Sequence, residues 1–225
     1  MQTIADDLLL LLLDETGKPR VDGTKMDYAL AGGVLIELAL DHRIDVVAGS
    51  FRRSTVVVTD ARPVEDELLD GALREVDARH KRAEALVPVV SKGLRRRLLD
   101  RAERSGTLRA EHRRILGLIK VERWPAANPA QRDQLLRRLR EVLVDGTPPD
   151  PRTSALVALL SSVQAAHLLF GPLPRSERKR VQRRAKEIGQ GAWAADAVRR
   201  AVQAVQTAVA AGATAAAVAA TTAST

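Results

Sequence analysis

The sequence predicts a mainly α-helical single domain, built around a buried central helix and carrying small β-hairpins. Three observations predict it. Apolar residues recur at helical spacing through most of the 225 residues. Hydrophobic residues make up 45% of the chain but aromatics only 2%, so the core is assembled from Leu, Val, Ile and Ala. Stretches with strand character are few and short, and no repeat of a length typical of solenoids is present.

The elements follow in order. Leu8–Leu13, six leucines fenced by Asp6, Asp7, Asp14 and Glu15, reads equally as a buried helix or strand. Its acidic flanks and lack of a small-residue cleavage site do not fit a signal peptide, and six residues fall short of the roughly 20 that span a bilayer. Asp14 to Pro19 is a turn. Asp27–Leu40 is a helix, with Gly32 and Gly33 allowing close packing. Arg43–Ala48 and Ser54–Thr59 pair as strands, and Glu65–Arg79 is an amphipathic helix. Val87–Arg104 is predicted as one helix, Ala110–Arg114 as a short helix and Ile115–Glu122 as a strand. Gln131–Val144 is strongly periodic, and Gly146 to Pro151 is the clearest linker. Thr153–Phe170 is nearly all apolar and is expected to be the central buried helix, followed by basic Ser176–Gly189 and by Trp193–Ala211, with Trp193 in the core. The domain should therefore cover residues 1–212, with 213–225 a flexible Ala/Thr-rich tail.

Charge is distributed unevenly. Residues 1–70 hold 7 basic and 14 acidic side chains, residues 71–200 hold 29 and 14, and the net charge is +8. A basic segment of that strength prefers an anionic partner or is a solvated arginine-rich surface. Cysteine is absent, which excludes disulfides, thiolate metal sites and a cysteine nucleophile. His42, His80, His112 and His167 lack metal-ligand spacing, and no phosphate loop, nucleophile elbow or HExxH is found. His167, on the apolar helix, reads as a hydrogen-bonded core residue. Glu37 is a carboxylate in an apolar helix, best explained by an Arg partner or a helix end. No catalytic residue, metal or cofactor is expected.

The basic features are sharper. Lys92, Arg95 and Arg96 share one helical face at spacings of three and four, and a helix starting near Ser91 would set them beside its positive dipole end. Like charges placed there suit a bound anion, or else an exposed face with spread counterions. The set from Arg178 to Lys186 wraps around its helix and reads as solvation. Trp124 follows the strand, and at a hairpin tip it suits a membrane interface as well as packing against the domain.

Several stretches, in order, resemble the Golgi phosphoprotein 3 family. They are Asp6-Asp7-Leu8-Leu9-Leu10-Leu11 with Asp14-Glu15-Thr16-Gly17, then Gly32-Gly33-Val34-Leu35-Ile36-Glu37-Leu38-Ala39-Leu40 with Arg43-Ile44. Arg52-Arg53-Ser54, Asp60 to Pro63 and Leu68 to Leu73 continue the match, as do Arg95 to Leu98, Gly106-Thr107-Leu108 and Arg152 to Leu159. The resemblance implies a helical domain with a protruding hairpin, here Ile115–Pro129 with Trp124 as a membrane-wetting tip. It also implies a pocket for phosphatidylinositol 4-phosphate and, in eukaryotic members, binding of glycosyltransferase tails. Lys92 and Arg95 fall on the family's later basic pair. Asp22 stands where the family has a tryptophan and Ala31 where it has an arginine; Arg20, Lys25 and Arg96 are the cations placed to compensate. The expected role is non-enzymatic: a cytoplasmic, peripherally membrane-associated protein that recognises anionic phospholipid headgroups, as an adaptor for a further protein partner or as a homo-oligomer. The alternative is a nucleic-acid binder, with Val87–Arg104, Ala110–Arg114 and the hairpin forming a winged-helix-like unit. Its arginine-rich helix precedes the glycine turn, and base-reading Asn and Gln are scarce there, so nucleic acid is the lesser expectation.

Overall fold

Helix α2, Gly23–Leu40, is surrounded by the rest of the protein. In the computed structural model, which describes residues 2–48, 54–79, 82–115, 119–190 and 196–222, every residue from Ala29 to Ala39 is buried. The reason is compositional: that stretch has one charged side chain, Glu37, and two glycines that let other helices approach. A Cβ on Gly32 would lie 2.7 Å from a Leu159 methyl, and one on Gly33 3.1 Å from the Ala5 backbone. The central helix is thus α2 and not Thr153–Phe170.

Helix α1, Ile4–Leu12, takes up most of the leucine run and packs on α2. It is started by a capping box, with Thr3 and Asp6 exchanging side-chain and backbone bonds. The predicted helix at Thr153–Phe170 exists in two pieces. Helix α7, Pro151–Ser162, begins at the Asp150 cap and ends where Gln164 turns to φ +58°, and a 3-10 turn occupies Ala166–Phe170. Helices α3 (Glu67–Asp77), α6 (Pro129–Leu143) and α8 (Arg175–Gln190) follow their predicted periodicities. Helix α9, Asp196–Thr222, packs along α2, α4 and α7 and remains helical to Thr222 through the segment expected as a flexible tail.

The predicted helix Val87–Arg104 is also two helices, α4 (Ala83–Val90) and α5 (Leu94–Arg104). Ser91 caps the end of the first, and Gly93, at φ +67°, is the N-cap residue that redirects the chain into the second. Strands β1 (Ile44–Ala48) and β2 (Ser54–Val58) pair antiparallel, with Ile44 opposite Val58. Strands β3 (Glu111–Ile115) and β4 (Ile119–Arg123) form the second hairpin, with Glu111 opposite Arg123. The segment expected as a short helix, Ala110–Arg114, is therefore mostly strand β3, and the hairpin pairs Glu111–Ile115 with Ile119–Arg123 in place of the expected Ile115–Pro129, because ladder pairing overrides the local helical preference. That removes the second helix on which the winged-helix-like reading depended. Trp193, His80, Arg52 and Arg53 lie outside the described residues.

Candidate functional site

The start of α5 places Leu94, Arg95, Arg96 and Arg97 in one helical turn that contains no acidic residue and has no side-chain cap. Leu94 and Leu98, 1% and 0% exposed, anchor it to the core. Lys92 precedes the helix in the α4–α5 turn. Of the five cations expected to form one headgroup site, Arg20, Lys25, Arg95 and Arg96 are held by different partners, and only Lys92 is held by none among the described residues.

Lys92 is exposed and makes no ion pair among the described residues. It lines a groove of about 580 Å³ between α3, α4 and α5, together with Arg74, Arg79, Leu94 and Arg97. Arg97 also has no ion pair among the described residues, whereas Arg74 and Arg79 are held by Asp70 and Glu75 of α3. Arg95 points toward the first turn of α2, where its Nε is 3.1 Å from Asp27 Oδ1 and a Cβ on Gly23 would lie 3.4 Å from its Nη1. Lys25 sits on the same turn, 3.2 Å from Asp22 Oδ2. Asp22 itself caps α2 by accepting the Lys25 N–H. Burial alone would raise the Asp22 pKa, but the bonds from Lys25 hold it below the ordinary value. Asp27 goes the other way, raised by burial against the opposing pull of Arg95. At the α2 start two cations are thus met by two carboxylates. Ala31, where the family has an arginine, is fully buried and offers nothing to a ligand.

Arg20 is turned away from this surface. It donates to the carbonyls of Leu13 at 3.3 Å and Leu168 at 2.9 Å, tying the α1–α2 loop to the 3-10 turn. Burial, then the neighbouring Arg132 guanidinium, lower its pKa. Arg96 is held by Asp100 at 2.9 Å and Glu122 at 3.2 Å, and lies over the Trp124 ring at 5.5 Å.

Trp124 corrects the expectation of a membrane-wetting tip. It sits just past β4, at the base of the hairpin, and is 5% exposed. Its N–H donates to the Gly17 carbonyl at 3.1 Å, and the α1–α2 turn packs directly on it. The physical reason is Gly17: at φ +75°, without a Cβ, it lets the two backbones approach where a Cβ would stand 2.2 Å from Trp124 N.

Two arginine networks were not legible in advance. Arg101, on α5, reaches Asp66 at 2.6 Å and Asp6 at 2.8 Å, bonds Thr3 Oγ1, and so joins α1, α3 and α5. Arg152, on α7, reaches Glu37 at 2.7 Å, Asp7 at 3.2 Å and the Gln2 carbonyl. Glu37 also accepts the Ile4 N–H at the start of α1, so it has both an Arg partner and a helix end. Burial raises the Asp7 and Glu37 pKa values against the opposing pull of Arg152. His167 is half-buried, with Nδ1 3.2 Å from Gln182 Nε2. Burial, then Arg178, lower its pKa. Among the described residues, no group of three His, Cys, Asp or Glu could hold a metal, and no helix is long and apolar enough to cross a membrane.

Fold and surface together define a mainly α protein with small hairpins, presenting an arginine-rich helix start above a cation-lined groove. The Golgi phosphoprotein 3 (GPP34) family model matches residues 4–205, and the chain belongs to that family.

Proposed function

We propose that the protein is a non-enzymatic, peripheral membrane-binding module that recognises anionic phospholipid headgroups through the α4–α5 turn and the first turn of α5. The observation that carries this reading is the pairing state of the cations. Lys92 and Arg97 stand exposed on one groove without an acidic partner among the described residues, an arrangement that an anion relieves. Arg95 joins them by exchanging Asp27 for a phosphate oxygen, and its bidentate guanidinium is suited to that exchange.

Family membership supports a lipid-binding role. Selectivity for phosphatidylinositol 4-phosphate is weak in this reading, because Asp22 and Asp27 offset Lys25 and Arg95 at the early half of the pocket. The protein acts at the cytoplasmic side of membranes, as an adaptor that brings a protein partner to the surface. The test is flotation with phosphatidylcholine vesicles, with and without phosphatidylserine or phosphatidylinositol 4-phosphate. Recovery should require an anionic lipid and fall by at least about tenfold in Lys92→Glu/Arg97→Glu, since each cation near such a surface contributes on the order of 1 kcal/mol. Equal recovery on neutral vesicles, or no change in the variant, would overturn the reading.

A further inference from the structure

Helix α8 holds seven cations and two glutamates in sixteen residues, more cations than any other described helix. In sequence they cover several faces, which suggests simple solvation. In the fold all seven lie outside the buried stripe. Val181, Ala185, Ile188 and Gly189 are buried toward α7 and α9, where a Gly189 Cβ would lie 3.5 Å from Ala158 Cα. Arg175, Lys179, Arg183 and Lys186 follow at spacings of four, four and three, so they form one row along the solvent side, and all four are exposed, with Arg178 and Arg180 exposed on its flanks. At about 1.5 Å per residue the row is roughly 16 Å long.

Its counterions are sparse. Glu187 lies 3.7 Å from Arg183 and 3.9 Å from Arg184, and Arg175, Lys179 and Lys186 have no ion pair among the described residues. No apolar or aromatic side chain interrupts the row. Stacking rings that single-stranded nucleic acids use are therefore missing from it, while a flat array of lipid phosphates needs only charge.

The position of the row gives it a distinct use. Helix α5 packs on α1 and α2, whereas α8 packs on α7, α9, α6 and the 3-10 turn. Helices α1, α2 and α7 thus stand between the α5 surface and α8, and each basic face points away from that core. We propose that the row Arg175, Lys179, Arg183 and Lys186 on α8 is a second docking surface for anionic phospholipid membranes, so that one molecule bound by its α5 surface bridges to a second bilayer. This rests on the membrane reading of α5 and goes beyond it to a tethering activity.

The test uses the full chain with phosphatidylserine-containing phosphatidylcholine vesicles, measuring flotation and vesicle clustering by light scattering. Wild type should do both. Arg175→Glu/Lys179→Glu/Lys186→Glu should float normally while the protein concentration needed for clustering rises roughly a hundredfold, from about fivefold for each charge lost. An unchanged helical circular dichroism spectrum checks that the variant is folded. Flotation without clustering in wild type overturns the tethering proposal and leaves the α5 reading standing, whereas absence of both overturns the two together. Clustering that survives the triple variant, or that appears only where the protein sediments as a dimer, also overturns it. So does loss of flotation in the triple variant, which would make α8 the primary contact. Row-dependent binding of random-sequence RNA in place of clustering would assign the surface to nucleic acid and overturn the membrane assignment.

Discussion

Arg97 and Arg101 stand one turn apart on α5 and line the same open groove of about 870 Å³, yet their situations are opposite. Arg101 is gripped by Asp6, Asp66 and Thr3 and fastens three helices. Arg97 touches no carboxylate among the described residues. Residue type and helical position are nearly the same, so only the partners separate a structural cation from one free to bind. Arg152, with its two carboxylates, belongs with Arg101, and Lys92 belongs with Arg97. Charge density alone would have grouped all four.

The comparison is broken most readily at Arg152. Asp7 and Glu37 are 4% and 3% exposed, and Arg152→Ala leaves both without their cation. A loss of about 3 kcal/mol is expected, which for a chain of this size lowers Tm by roughly 10 °C. The pH dependence follows from the same pair. Because burial raises both carboxyl pKa values, the folded state binds protons more readily than the unfolded chain there, so these groups favour stability as pH falls toward the ordinary carboxylate range and oppose it as pH rises. Asp7→Asn should flatten that slope in urea titrations between about pH 7 and 5, the window above the ordinary carboxylate pKa.

Arg101→Ala should cost less, about 2 kcal/mol, since its side chain is partly solvated. Gly17→Ala belongs in the same range at about 2–3 kcal/mol, combining left-handed backbone strain with collision against Trp124. Gly93→Ala, also at positive φ but with nothing within 4 Å of the added Cβ, should cost only about 1 kcal/mol. Urea midpoints of the two glycine variants separate strain from contact.

Asp150→Ala removes the α7 cap and should cost about 1 kcal/mol at neutral pH. Burial would raise the Asp150 pKa, but bonds from the Thr153 hydroxyl and N–H bring it below the ordinary value. That contribution is present above the usual aspartate pKa and disappears as pH falls through the lowered one, so wild type and variant should converge in acid. The smallest effect is expected at the two cations without an ion pair among the described residues: Lys92→Glu/Arg97→Glu should change stability by no more than about 0.5 kcal/mol.

The helical class, the first hairpin and most helix spans were legible because they depend on local periodicity, whereas the second hairpin pairs Glu111–Ile115 with Ile119–Arg123 and begins before the Ile115 expected. The breaks were not legible. Gly93 and Gln164 divide runs whose apolar spacing continues across the break, and the choice of α2 as the central helix depends on which helices approach Gly32 and Gly33. At the candidate site, Lys92 and Arg95 were found through spacing and family resemblance. Arg97 was passed over because its neighbours on the groove, α3 and α4, come from elsewhere in the chain. The exposed position expected for Trp124 failed for a related reason: Gly17, more than a hundred residues earlier, closes over it.

The central claim is that the cations of the α4–α5 turn and α5 that have no ion pair among the described residues serve binding while paired ones serve the fold, and vesicle flotation with matched variants tests it most directly. Lys92→Glu/Arg97→Glu should keep the wild-type Tm and lose recovery on phosphatidylserine-containing vesicles. Arg101→Lys, measured where it remains folded, should lose Tm and keep recovery. Retained recovery in the first variant, or recovery lost in the second without unfolding, would contradict the account.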